Sequence, residues 1–523
     1  MAKFAEKFFE KFFRFYLHFQ KKLYNYFSNK KEVQLMNKIK ELFKPLDLTE
    51  GRVWKVIVNF SIPILISYLF QQIYTIADAA ICGQFLNENQ VAGVNNTGNI
   101  VFIVLQFAFG CTAGFSVITS RNLGQKNVDG IKRSLATQIV LSFIISVLLT
   151  IVAVLSINPL LKWIGLEKSS GPVQNEIYRS AYVYVLIIFA GSITQIFYNL
   201  ISSFLRSVGD SLTPLVFLII STVLNIALDL LFVAVFKTGV LGAAVATVIS
   251  QAISAVGCFA YTFARYKEYR LTKSDFRLEK DFVIRHLKLG LPLAFQFSIL
   301  CVGLIVMQAV IVKFDTSADG VVISAAAQNG FGAATKLNNF LMCPFNALGT
   351  AMLSYCGQNY GANDMERVRK GVKDALLIAL IIYVICAGIG LLLTINGAYM
   401  KIFYSDEKIS DLAIRYGNTY LYCDLSLYYI LGVLFVLRNS LHGIEKSLFP
   451  FVAGVGELVA RTVLCLVLPA AINNGPINVG ASQNALLGLT FADPLAWAAA
   501  SAVLLYGAFK YIFSARSKSR SHF

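Results

Sequence analysis

Two aspartates sit where an apolar helix should carry no charge. Asp78 closes the run Gln71-Gln72-Ile73-Tyr74-Thr75-Ile76-Ala77-Asp78, and Asp229 follows Asn225 by four residues in another apolar stretch. A charge at membrane depth costs about 2.5–3.5 kcal/mol even on insertion scales, so each is a functional candidate. Gln71, Tyr74 and Asp78 (i, i+3, i+7) share one helix face, and Asn225 and Asp229 share another. Thr247, Gln251 and Ser254 line a third at i, i+4, i+7. Carboxylates, an amide and a hydroxyl gathered in this way can do either of two jobs. They can offer all-oxygen ligands to a small hard cation such as Na+, or hold one proton between two acids. The plainer alternative is that the aspartates only hydrogen-bond helices together.

The elements that must position these residues are membrane helices. Hydrophobic residues make up 56% of the 523 and charged residues 14%, and the mean hydropathy is +0.63, values that exclude an ordinary soluble domain. Apolar runs long enough to cross about 30 Å of hydrocarbon recur about twelve times. The spans are expected near 53–83, 90–118, 134–158, 176–205, 212–236, 240–265, 283–312, 322–356, 372–395, 411–438, 448–472 and 485–512. They are too long and too uniformly apolar for barrel strands. Pro63, Pro292 and Pro344 fall inside runs and predict kinks.

The chain repeats itself. Leu205-Arg206-Ser207-Val208-Gly209-Asp210-Ser211-Leu212-Thr213-Pro214 returns as Leu441-His442-Gly443-Ile444-Glu445-Lys446-Ser447-Leu448-Phe449-Pro450, 236 positions later. Gly124 and Gly361, and Pro63 and Pro292, keep nearly the same offset. The fold class is therefore all-α integral membrane, with two six-helix lobes related by a pseudo-two-fold axis along the membrane normal. The expected units are a cytoplasmic amphipathic segment (1–50), an N-lobe (51–266), a basic linker (267–281), a C-lobe (282–513) and a basic tail (514–523). In the first unit Phe4, Phe8, Phe12 and Phe19 alternate with Lys3, Lys7, Lys11 and Arg14, which suits a helix lying on an anionic leaflet.

The formal net charge of +17 falls on alternate loops, which argues for membrane orientation and not for nucleic acid. Arg121, Lys126, Lys132 and Arg133, the linker, and Arg367, Arg369 and Lys370 lie on one side. By the positive-inside rule that side is cytoplasmic, with both termini inside. Nine cysteines without ligand spacing and four histidines outside the span centres offer no zinc or haem site. Lys446-Ser447 lacks the glycines of a phosphate loop, so the chain has no ATP motor of its own and is not expected to be an enzyme.

The second half lacks matching acids, since Cys465 stands opposite Asp229 and Met307 opposite Asp78. Glu457 and Arg461, four apart, are expected to pair, while Lys336 and Asp424 look isolated.

The order of these motifs resembles the multidrug and toxic compound extrusion (MATE) family. The match rests on Ser61-Ile62-Pro63 leading to Gln71-Gln72 and Asp78, Leu289-Gly290-Leu291-Pro292, Gln358-Asn359-Tyr360-Gly361-Ala362 before Arg367-Val368-Arg369, and the repeated Leu-Arg/His turn. The resemblance implies two lobes around a V-shaped cavity and export driven by H+ or Na+. It implies an ion site at Asp78, Asn225, Asp229 and Thr247, with Asn199 as an addition. In the second lobe, Ile299 and Ile430 stand where some relatives have acids, which argues against an ion site there. The cavity is assigned Gln71, Tyr74, Gln251, Gln296 and Met307. The expected protein is a monomeric plasma-membrane antiporter for small organic cations or amphipathic drugs, with no cofactor beyond H+ or Na+. The alternative is a flippase for a lipid-linked saccharide precursor.

Overall fold

The computed structural model describes residues 44–168, 171–404 and 409–514. Most of the expected segment 1–50 and of the tail 514–523 lies outside these residues.

The N-terminal lobe holds α1 (Val53–Phe85), α2 (Glu88–Gly124), α3 (Val128–Leu155), short α4 (Ile157–Trp163), α5 (Pro172–Ala190), α6 (Ser192–Ser207), α7 (Leu212–Asp229) and α8 (Val240–Arg265). The C-terminal lobe holds α9 (Lys280–Lys313), α10 (Ala326–Gly361), α11 (Met365–Thr394), short α12 (Met400–Phe403), α13 (Asp411–Ser426), α14 (Tyr428–Gly443), α15 (Leu448–Asn473), α16 (Gln483–Thr490) and α17 (Ala492–Ala508). Among the described residues, nine helical stretches are long and apolar enough to cross a membrane, and α5–α6 and α13–α14 form two bent spans. The 36-residue α10, expected as the eighth span, falls short of that apolarity. It is more polar than the others because α1, α2, α11, α13 and α14 pack around it, so few of its side chains meet lipid.

Breaks occur where serine and glycine weaken the helical ladder. The fourth span bends by 45° at Gly191-Ser192, a Gly/Ser pair of the kind that kinks helices. The tenth bends by 54° at Leu427, after Ser426 Oγ has bonded back to the Cys423 carbonyl. The expected prolines behave differently: α1, α9 and α10 run through Pro63, Pro292 and Pro344 without a break.

The sequence repeat reappears in turn geometry. Lys126 (φ 56°) and Asn363 (φ 58°) occupy the same left-handed turn position. Asn127 and Asp364 then cap α3 and α11 by accepting backbone N–H bonds. Between the lobes α2 packs along α9, and α10 packs along α1 and α2. A two-fold axis exchanges α1 with α9 and α2 with α10, so it maps these seams onto one another.

At the linker end, where residues 266–279 join the lobes, the seam is closed. The repeated glycines face each other's helices there. A Cβ on Gly124 would stand 1.9 Å from the Gln358 carbonyl oxygen, and one on Gly361 would stand 2.1 Å from that of Arg121. Toward the far end the seam opens. On α1 the face Ile57, Phe60, Ile64 and Ser67 is buried, but its continuation through Gln71, Thr75 and Ala79 is exposed. Ile62, Ile66, Ile73 and Ile76 form a separate exposed apolar stripe suited to lipid. All nine cysteines are free and buried.

Candidate functional site

Asp78 lies on α1 just beyond the point where the seam opens, and it is half-buried. Asp229 ends the α-helical part of α7, and the chain continues as a π-helix over Leu230–Val235. Such widened turns recur at functional sites because they free backbone and reorient side chains. Asp229 is 1% exposed and Asn225 is fully buried. From α8, Thr247 joins them: its hydroxyl oxygen accepts from Tyr74 Oη (3.2 Å) and from Asn225 Nδ2 (3.4 Å).

The structure thus brings together Asp78, Tyr74, Asn225, Asp229 and Thr247 from three helices. The two carboxyls and the Asn225 amide lie within interaction range of one another. Yet Asp78 Oδ1, both Asp229 oxygens and Asn225 Oδ1 are buried without a well-aligned donor. Among the described residues no Lys, Arg or His forms an ion pair with either aspartate. Buried oxygens without donors are costly, and two adjacent carboxylates without a counter-charge more so. A proton held between the acids, or a hard cation taking these oxygens as ligands, answers both deficits. The donor set fits either.

Other expected residues fall elsewhere. Gln71 is exposed on the open face of α1, and Gln251 is half-buried one turn beyond Thr247 on α8. Asn199 sits eight residues from the linker end of α6, whereas Asp229 sits seventeen residues into α7 from the same end. At 1.5 Å per residue they differ in depth by about 13 Å, so Asn199 does not join the cluster. Gln296 and Met307 do not line a cavity, since both are fully buried inside the C-terminal lobe. Oriented by its partners, the Gln296 amide accepts from Arg438 Nε (2.9 Å) and donates to the Pro450 carbonyl (3.2 Å). Met307 packs in the core with Val310 and Ile311.

Two neighbours of the cluster were not anticipated. Tyr184 of α5 packs beside Cys82 and Val233 and lies within electrostatic reach of both aspartates. A tyrosine in an apolar span carries no periodic signal that separates a site from packing. Cys82, one turn beyond Asp78, is likewise close to both.

The second lobe is richer in charge than expected. Glu457 pairs with Arg461 as its spacing implies (3.1 Å), but Glu457 also takes Arg438 (2.6 Å) and Arg461 also holds Asp493. Asp424 is not isolated, because Asn338 Nδ2 donates to it at 2.9 Å. The tenth span therefore does carry a buried acid, one helical turn and a half before the Ile430 position considered above. Lys336 is not bare either and lies over the rings of Phe403 and Tyr404. Two guanidinium groups answer Glu457 and Asp493, while Asp424 has no ion pair and keeps one oxygen without a donor. The N-terminal cluster differs in setting two carboxyls side by side with no basic group paired to either among the described residues.

Comparison with known proteins agrees with this architecture. The MatE family model matches residues 63–231 and 293–467. A Bacillus subtilis protein named probable multidrug resistance protein YpnP is 30% identical over 398 residues, covering 76% of this chain and 84% of its own. A Shewanella oneidensis FAD transporter is 24% identical over 463 residues, covering 86% of this chain and 92% of its own. A solved outward-facing MATE transporter of the MOP superfamily superposes with a TM-score of 0.76 at 20% identity, covering 89% of this chain and 98% of its own. The repeated two-lobe bundle, the matched family model and the similarity to YpnP establish that this chain belongs to the MatE family of membrane transporters.

Proposed function

We propose that the chain is a secondary-active multidrug exporter that moves amphipathic, often cationic organic molecules out of the cytoplasm in exchange for H+ or Na+. The observation that carries this reading is the buried, donor-free oxygen cluster of Asp78, Asn225 and Asp229 beside the opening between the lobes. The names of relatives such as YpnP support drug efflux.

In this reading the linker end faces the cytoplasm of a monomer in the plasma membrane, with both termini inside, as the basic loops require. Asp78 and Asp229 hold the coupling cation, and Asn225 and Thr247 keep the two acids in register. Tyr74 ties α1 to α8 through Thr247, so a cation drawn into the cluster pulls on α1, which also walls the cleft. Transport follows from unequal affinity for that cation in the two lobe arrangements. The alternative, flipping of a lipid-linked pyrophosphate, calls for several converging arginines. The interlobe cavity lined by Tyr68, Phe109, Phe297, Asn346 and Asn439 contains a single arginine, Arg206.

The test is retention of a fluorescent lipophilic cation in cells expressing wild type, Asp78→Asn or Asp229→Asn, with H+ and Na+ gradients collapsed separately. Efflux should disappear in both variants at normal membrane levels, and on collapse of one gradient. Full efflux by either variant overturns the assignment.

A further inference from the structure

The residues just before α1 cross the closed end of the molecule and touch both lobes. The Leu46 N–H donates to the Gly209 carbonyl (3.0 Å), in the turn between α6 and α7 of the N-terminal lobe. Two residues on, the Leu48 N–H donates to Gln358 Oε1 (3.3 Å). The Leu48 carbonyl accepts from Asn359 Nδ2 (3.1 Å) and from the Arg367 guanidinium, all in the C-terminal lobe. Arg367 also holds the carbonyls of Glu50 (2.6 Å) and Gly51 (3.0 Å). Leu48 itself is fully buried in the core of that lobe. This strap leaves the N-terminal lobe at α1, is gripped in its middle by the C-terminal lobe, and returns to the N-terminal lobe at Gly209.

Gln358 is the joint of the assembly. While Oε1 receives the strap, its Nε2 donates to the Ser207 carbonyl across the seam at 2.9 Å. One amide, 1% exposed, therefore holds the strap and the opposite lobe together. A neighbouring interlobe ion pair, Arg121 with Glu445 (2.9 Å), lies at the same end. The lobes of a secondary transporter must part at each end in turn. Parting here breaks the Gln358–Ser207 bond and the ion pair, and pulls the strap away from one lobe or the other.

We propose that Gln358 and the strap Leu46–Glu50 form a lock that holds the linker end shut, making Gln358 a positioning residue for the transport cycle. The lock needs only the family-level requirement that the two lobes separate. It can be read without substrate or coupling ion, so its failure and that of the proposed antiport are distinguishable.

The probe is Ser120→Cys on α2. Ser120 is 1% exposed and packs against Gly357 of the other lobe. Its labelling by a thiol reagent in detergent-solubilised full-length protein is measured against the same variant without the added cysteine. Gln358→Ala should raise the labelling rate roughly five- to ten-fold, the size expected for loss of one or two hydrogen bonds made in a single state. Leu48→Ala, which removes the buried side chain that seats the strap in the C-terminal lobe, should give a comparable rise and decides the matter if Gln358→Ala fails to fold. Lys44→Ala, at an exposed position, should change nothing. Gln358→Glu adds a readout that simple packing would not move. As a carboxylate it accepts from Leu48 but cannot donate to Ser207, so labelling, taken as a ratio to the Gln358 parent at the same pH to cancel the thiol's own ionisation, should be raised at alkaline pH and fall toward one once the acid is protonated. Unchanged labelling in both Gln358→Ala and Leu48→Ala overturns the lock, as does a Gln358→Glu ratio that does not vary with pH.

Discussion

Replacing Gly124 by alanine puts one methyl group into the tightest crossing between the lobes. The added Cβ would lie 1.9 Å from the Gln358 carbonyl oxygen, and ordinary contact begins at 3.4 Å. Moving from 1.9 to 3.4 Å requires α2 and α10 to part by about 1.5 Å, because the opposing atom is backbone and cannot rotate away. Forcing a methyl group into a packed seam costs about 1–3 kcal/mol, and here the cost falls on the linker-end-closed arrangement alone. The balance between arrangements should shift roughly five- to 150-fold toward linker-end-open. Gly361→Ala should act alike, since its Cβ would meet the Arg121 carbonyl at 2.1 Å. Gly388, on α11, has nothing within 4 Å of an added Cβ and serves as control. The assay pairs initial efflux rate with Ser120→Cys labelling. Gly124→Ala should transport at least several-fold more slowly and label faster, while Gly388→Ala matches wild type. Wild-type rates and labelling in Gly124→Ala would refute the view that this crossing closes tightly during the cycle.

Three further outcomes follow from the geometry. Tyr74→Phe removes the bond to Thr247, worth about 1 kcal/mol, so the cation concentration giving half-maximal efflux should rise roughly five-fold; an unchanged half-saturation speaks against a role in the ion site. Arg461→Met leaves Glu457 and Asp493 with a lost partner in the interior, and should lower stability by about 3–5 kcal/mol, read as a marked fall in melting temperature; a neutral result would show the network to be dispensable. Burial pushes the Glu445 carboxyl above its ordinary value of 4.5, against the pull of Arg121 beside it. Its proton-linked contribution to stability is therefore complete below that value and is lost as pH rises through the folded one. Glu445→Gln should remove this limb from a melting curve taken across the acid range, and parallel curves for the two proteins would contradict the assignment.

The chain alone determined the helical membrane class, the two-lobe repeat and the acids worth suspecting, because hydrophobic length and misplaced charge are local properties. Asp78, Tyr74, Asn225, Asp229 and Thr247 could be named as members of three helix faces from their spacing in the chain. Even the turns at Gly124 and Gly361 announced the duplication. Which faces look inward is another matter. Gln296 reads from the chain as a polar cavity residue just as Gln71 does, yet one is sealed against Arg438 and the other lies on the open cleft. Asp424 reads as a stray acid until Asn338, 86 residues earlier and on another helix, is brought to it. The strap is invisible for the same reason, since its bonds join Leu46 to Gly209 and Leu48 to Gln358. An apolar span in a membrane protein is apolar on its lipid side and on much of its packed side, so periodicity cannot tell the two apart. Only the packing of the helices against one another decides which polar atoms find partners and which are left without one.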